Sequence, residues 1–201
     1  MNQTREYRTM ELRILEPEET QEKSYKVRGY ASTFDTYKLF TIDGTDYYER
    51  IEPTAFDEAD LSDVVFRIDH TGRVYARTSA GDLSIWTDEH GLGNDADLSR
   101  TRRAQEVFED IEAGHYPQMS FAFTVAEGGD HYDKATHTRI IDRIAKVFDV
   151  SPVSFPANPN TELSIATRDY FNGVIGAEKA ERLEREAREA QKQKIRILSE
   201  V

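Results

Sequence analysis

The chain has 201 residues, of which 38 are Asp or Glu and 26 are Lys or Arg, for a formal net charge of -12. Affinity for nucleic acid comes chiefly from Lys and Arg displacing counterions from phosphates, so this balance disfavours a direct nucleic-acid partner. Cysteine is absent, which excludes disulfides, thiol nucleophiles and Cys-ligated zinc together.

From the start, Met1 to Glu6 lead into no apolar stretch of the secretory kind, and nowhere is there a run of about 20 apolar residues, so neither export nor membrane insertion is expected. Met10, Leu12 and Ile14 alternate with polar residues, as do Tyr25, Val27, Gly29 and Ala31 beyond the turn-like Glu16-Pro17-Glu18-Glu19. Two early strands are predicted, in the manner of a hairpin. Asp43-Gly44 marks a turn, Tyr47 to Ile51 another strand, and Thr54 to Asp57 the start of a short helix. Val64 to Ile68 is a compact apolar run that ends at Asp69-His70, and it predicts a buried strand delivering His70 to a cleft. Leu83, Ile85 and Thr87, then Leu92 to Leu98, continue the sheet around a turn at Glu89-His90-Gly91.

The period changes after Ser99. Ala104, Val107, Phe108 and Ile111 recur at helical spacing, with Ser99 or Thr101 to cap the first turn and Gly114 to stop the last. Alternation returns at Met119 to Val125, so Ser120 opens a strand; Phe121 and Phe123 are read as core filling. An apolar segment from Ile140 to Val150 runs into Ser151 to Pro159, whose three prolines forbid a regular helix and demote any strand to an edge. From about Gly176, Ala177, Ala180, Leu183, Ala187 and Ala190 recur at 3/4 spacing among dense charges. That predicts a helix, either a solvated tail or one that pairs with a partner or with itself.

Serine is a weak nucleophile unless an imidazole within hydrogen-bond reach takes its proton, usually with a third group fixing the imidazole tautomer. Ser120, His70 and a carboxylate such as Asp149 are the parts to test, and each also has an ordinary reading. His70 would be a strand-end histidine bonded to a carbonyl, Ser120 a small packing residue, and Asp149 a surface strand residue or turn acceptor. Asp69 is not expected to orient His70, because neighbours on a strand face opposite sides. Asp130, His131, Asp133 and His137 lack the helical two-His spacing of a hydrolytic zinc site, and the glycine pairs lack the context of a phosphate loop. No metal and no cofactor are expected.

The ordered set of segments resembles the prohead maturation proteases of tailed phages, a family related to herpesvirus assemblins. The resemblance runs from about Tyr25 to Thr161 and rests on Val27 to Ala31, Ile51 to Phe56, Phe66 to His70, Gly91-Leu92, the helix ending at Gly114, and Met119 to Phe123. It closes on Arg139 to Ile141, the acid-Val-Ser run Asp149-Val150-Ser151, and Phe155 to Asn158. This chain has Thr54 where the family usually has Gly, Asp69 for Asn, and Asp149 where Glu is common.

The resemblance implies His70 as general base, Ser120 as nucleophile and Asp149 as the group that orients the imidazole. Oxyanion donors would come from the region of Arg139 and Arg143. It implies an α+β fold, a mostly antiparallel, partly closed β-barrel with peripheral helices like the herpesvirus proteases; with the change of composition near the end of the chain, the expected division is a protease domain over 1–172 and a charged helical tail over 173–201. The substrates implied are the scaffold region of the major capsid protein and the chain itself, with action inside the immature capsid in the host cytoplasm; self-association is compatible. The alternative of another class is an inactive scaffold-binding protein of the same fold.

Overall fold

A computed structural model describes residues 5–11, 24–154 and 165–199. The chain divides into two compact units, Met1–Leu163 and Ser164–Val201.

The first unit is built from β1 (Glu6–Glu11), β2 (Lys26–Thr33), β3 (Tyr37–Ile42), β4 (Thr45–Ile51), β5 (Val65–Ile68), β6 (Thr71–Arg77), β7 (Leu83–Thr87) and β8 (Gly91–Asp97). Helix α1 (Arg102–Glu112) follows, then β9 (Gln118–Val125), β10 (Asp130–Asp133), β11 (Thr138–Ile141) and β12 (Ile144–Val153), with a short 3-10 turn at Pro53–Phe56. The strands form three sheets, in the orders β1-β9-β12-β5-β6, β10-β11-β4-β3 and β2-β8-β7.

The architecture is α+β, mostly antiparallel, with parallel pairs at β4/β11 and β5/β12. Closure of a barrel needs an unbroken ladder around the sheet, and among the described residues the five-stranded sheet ends at β1 and β6, so no closed barrel is found. The expectation of an early hairpin is corrected: β1 pairs with β9 and β2 with β8, so the first two strands lie in different sheets. Leu12, Ile14 and the Glu16 to Glu19 turn lie outside the described residues, as do Pro156 and Pro159.

Pro152 sits within β12, which is an inner strand rather than an edge. The ladder to β5 stops at Val150↔Phe66, so at Pro152 only β9 continues to pair; the missing N–H interrupts no β5 bond.

The core forms where the alternating faces of the strands meet. Phe66, Phe121 and Phe123 are fully buried, and the last two stack with centroids 4.6 Å apart. Helix α1 closes over this core because Ala104, Val107, Phe108 and Ile111 occupy one face, all buried. The Thr101 hydroxyl accepts from the Ala104 amide at 3.2 Å, and Gly114, at φ 81°, lets the chain turn out of the helix.

In the three-stranded sheet Trp86 lies directly across from Gly93. Its indole donates to Asp95 at 2.8 Å and meets Tyr30 edge-on, so the ring is held on both sides. A Cβ at Gly93 would come within 2.3 Å of the indole. Gly93→Ala is therefore expected to destabilise the chain by about 1–3 kcal/mol through forced repacking, read as a lower urea midpoint; an unchanged midpoint would show the indole free to step aside.

The second unit consists of α2 (Ile165–Ser199). It begins earlier than the composition change near Gly176 predicts, because Gly173 and Gly176 are carried inside the helix at a cost of about 1 kcal/mol each. Leu183 and Ile195 are exposed on it. Among the described residues no helix is long and apolar enough to cross a membrane.

Candidate active site

Residues directly opposite each other in an antiparallel pair point to the same face of a sheet. The β9/β12 register sets Ser151 opposite Ser120 and Asp149 opposite Ala122. Ser120, Asp149 and Ser151 therefore share one face, while Phe121 and Val150 turn to the core on the other. A register shift between Val147 and Asp149 falls beside the carboxylate; bulges of this kind re-aim side chains next to active sites.

His70 arrives from β5, which runs parallel to β12 with Val65 beside Asp149. The chain does not simply end a strand there. Ile68 pairs with Thr71, and between them Asp69 and His70 make a two-residue turn, both at positive φ, 48° and 54°. Such turns suit the twist of a hairpin, and Asp and His tolerate the left-handed region better than most residues.

The turn is tied to the end of β12. The Asp69 amide donates to the Pro152 carbonyl at 3.1 Å, and its carboxylate accepts from the Ser154 amide at 2.8 Å and the Ser154 hydroxyl at 2.7 Å. Asp69 thus holds the hairpin that presents His70, from a turn rather than from the strand geometry assumed in the sequence. On the other side Arg67 donates through Nη1 to the His70 carbonyl at 3.2 Å.

The side chains form a continuous series. His70 Nδ1 lies 2.6 Å from Asp149 Oδ1, and His70 Nε2 lies 2.7 Å from Ser120 Oγ. The Ser151 hydroxyl donates to the same Asp149 oxygen at 2.8 Å. A carboxylate can only accept, so the proton on the ring belongs at Nδ1, and Nε2 is left as the acceptor for the Ser120 hydroxyl. Ser120 is 1 % exposed and Asp149 2 %, while the His70 side chain keeps 17 %. Ser151, Asp69, Ser154 and Arg67 carried no local signal as site residues; Ser151 stood within the acid-Val-Ser run without an assigned part.

Arg139 and Arg143 are held by other partners. Arg139 donates to Glu6 at 2.6 and 3.0 Å, to Glu49 at 3.2 Å and to Asp130 at 2.7 Å. Arg8 joins the same buried cluster, bonded to Glu6, Glu49 and Tyr37. Two guanidinium groups thus face three carboxylates, with Glu49 wholly buried. Burial works against the charge on Arg139, but Glu6 and Glu49 outweigh it and raise its pKa; Glu49 does the same for Arg8. Burial, then the Glu49 carboxylate, push the Tyr37 phenol upward. Arg143 donates to the Glu127 carbonyl at 3.1 Å, and its amide donates to Gly129.

The residues weighed as metal ligands are dispersed among other partners: His131 with Asp142 at 2.6 Å, His137 with Tyr132 at 2.9 Å, and Asp133 with the Ala135 amide at 2.9 Å. Among the described residues no group of three or more His, Asp or Glu is set to hold a metal ion.

A hydroxyl, an imidazole and a carboxylate joined in this order have the arrangement that serine peptidases use for acyl transfer. The profile of one family, described as caudovirus prohead serine protease, matches residues 9–173, and the chain belongs to that family. No curated protein and no solved structure matches the chain significantly.

Proposed function

We propose that the chain is a serine endopeptidase that cleaves the scaffold region of its phage's major capsid protein, and itself, within the immature shell in the host cytoplasm. The series Asp149–His70–Ser120, closed by bonds of 2.6 and 2.7 Å, carries this reading; family membership supplies the biological setting.

Ser120 Oγ attacks the scissile carbonyl as its proton passes to His70 Nε2, and the imidazolium is stabilised through Nδ1–H by Asp149. His70 then protonates the departing amine, and water, deprotonated by the same imidazole, hydrolyses the acyl-enzyme. Arg139 and Arg143 would have to give up carboxylates or backbone carbonyls before serving an oxyanion. Asp149 is one methylene shorter than Glu, yet the 2.6 Å contact spans the gap because the register brings β12 alongside the hairpin.

The test is co-expression of the chain with its capsid protein, with intact masses of both read by mass spectrometry. Processing of the capsid protein at its scaffold region and of the chain itself is expected from wild type. Full-length masses in both would overturn the peptidase reading and favour an inactive scaffold-binding role.

Ser151 fixes the carboxylate that fixes the imidazole. Ser151→Ala is expected to lower kcat about tenfold, equivalent to about 1.4 kcal/mol, with KM little changed and recovery in Ser151→Thr. A kcat equal to wild type would remove Ser151 from any positioning role.

A further inference from the structure

The strand that carries Ser120 has no amide to spare for an oxyanion. Acyl transfer puts negative charge on the scissile carbonyl oxygen, and N–H groups aimed at that oxygen lower the barrier. Ser120 stands inside β9 with Thr9 of β1 across from it on one side and Ser151 of β12 on the other, so the amides around it point along the ladders to neighbouring strands. The Ser151 hydroxyl is given to Asp149, and Arg139 and Arg143 are held by carboxylates and backbone carbonyls.

Arg67 is placed differently. In the parallel β5/β12 pair Val65 stands beside Asp149, and Arg67, two residues on, shares the face of Val65, which is the face of Ser120, Asp149 and Ser151. Extending that register by one pair beyond Val150↔Phe66 sets Arg67 level with Ser151, and so in one row with Ser120. Two strand spacings of about 4.8 Å separate the two backbones, a gap that the long arginine stem, the serine side chain and a bound carbonyl fill together. Across from Arg67 on its other flank, Val74 of β6 is 44 % exposed, so this end of the row reaches solvent. Through Nη1 the guanidinium donates to the His70 carbonyl at 3.2 Å, which ties it to the turn that presents the imidazole. Its Nε is buried without a hydrogen-bond partner, and Nη2 bonds to no described residue. A buried N–H left unpaired is costly, and such a group calls for a ligand or a catalytic part. Nε–H and Nη2–H form one edge of the planar fork, the edge that grips an anionic oxygen.

Resting on the peptidase reading above, we infer that Arg67 is the oxyanion donor of this site. As Ser120 Oγ bonds to the scissile carbonyl carbon and its proton passes to His70 Nε2, the π pair of the carbonyl moves onto oxygen, where Nε–H and Nη2–H of Arg67 donate to it. When the C–N bond breaks and His70 protonates the amine, that pair returns to re-form the carbonyl of the acyl-enzyme.

The experiment uses the full chain and a peptide spanning the site at which the capsid protein is cut, with initial rates read by mass spectrometry. Arg67→Ala is expected to lower kcat about a hundredfold or more with KM little changed, the mark of a contact made only in the transition state. Guanidinium ion, added well below denaturing concentrations, is expected to restore part of the lost rate to Arg67→Ala and none to wild type, which a merely structural arginine would not allow. Wild-type kcat in Arg67→Ala, a loss confined to KM, or a loss that guanidinium ion leaves untouched overturns the inference. Circular dichroism checks the fold. Should Arg67→Ala not fold, Arg67→Gln decides: a lower kcat at unchanged KM upholds the inference, and wild-type kcat overturns it. Full-rate cleavage by the variants beside an active wild type sinks the role of Arg67 alone, whereas capsid protein left uncut by wild type sinks the peptidase reading.

Discussion

Replacing Ser120 with alanine is expected to lower the rate of capsid-protein cleavage by about 10⁴-fold or more while leaving the fold intact. The substitution deletes the atom that would bond to the scissile carbon, and nothing near it can take over. The neighbouring Ser151 hydroxyl is already turned to Asp149 rather than to the imidazole. The structural cost is small, because one hydroxyl with a single 2.7 Å bond to His70 is lost and no charge is stranded; about 1 kcal/mol is the usual scale. His70→Ala should match it in rate, since the steps act as a unit. Asp149→Ala should be roughly a hundredfold less severe, because it removes only the group that orients the ring. Rates come from time courses of the mass-spectrometric assay, and circular dichroism checks the fold. Cleavage by Ser120→Ala at the wild-type rate would sink the assignment of the nucleophile.

Arg139→Met is expected to destabilise the chain by about 3–5 kcal/mol, the scale for stripping one partner from a buried ion pair. Arg139 bridges Glu6 of β1, Glu49 of β4 and Asp130 of β10. Without it Glu6 and Glu49 lose a cation where water cannot compensate, while Asp130, 18 % exposed, is left partly to solvent. Urea unfolding followed by fluorescence measures the loss. The same variant separates two roles for this residue. A cluster that joins two sheets predicts a large fall in midpoint, whereas a donor to the oxyanion predicts an unchanged midpoint with a collapse in kcat.

What could be read from the sequence was whatever local order determines. Helix α1 was legible because its spacing, its cap at Thr101 and its stop at Gly114 lie within a few residues of one another. The alternation through Met119 to Val125 located β9 for the same reason. Strand β6 was not legible: it is mostly exposed, and its turn at Asp69-His70 lacks the Asn-Gly or Asp-Gly signature of a two-residue hairpin. Likewise α2 was dated too late, because glycine is a weak helix breaker and the flanking residues carry the helix through it.

The candidate site divides in the same way. Ser120, His70 and Asp149 were named together by family resemblance, since no spacing links residues separated by 50 and 79 positions. The roles of Ser151 and of the Asp69–Ser154 bond depend on register between strands distant in sequence, and only coordinates supply that.

The Ser120 hydroxyl meets almost no solvent. If Ser120 is the nucleophile, a substrate carbonyl reaches it only once that side of the sheet opens, so admission would join chemistry in setting the rate of cleavage.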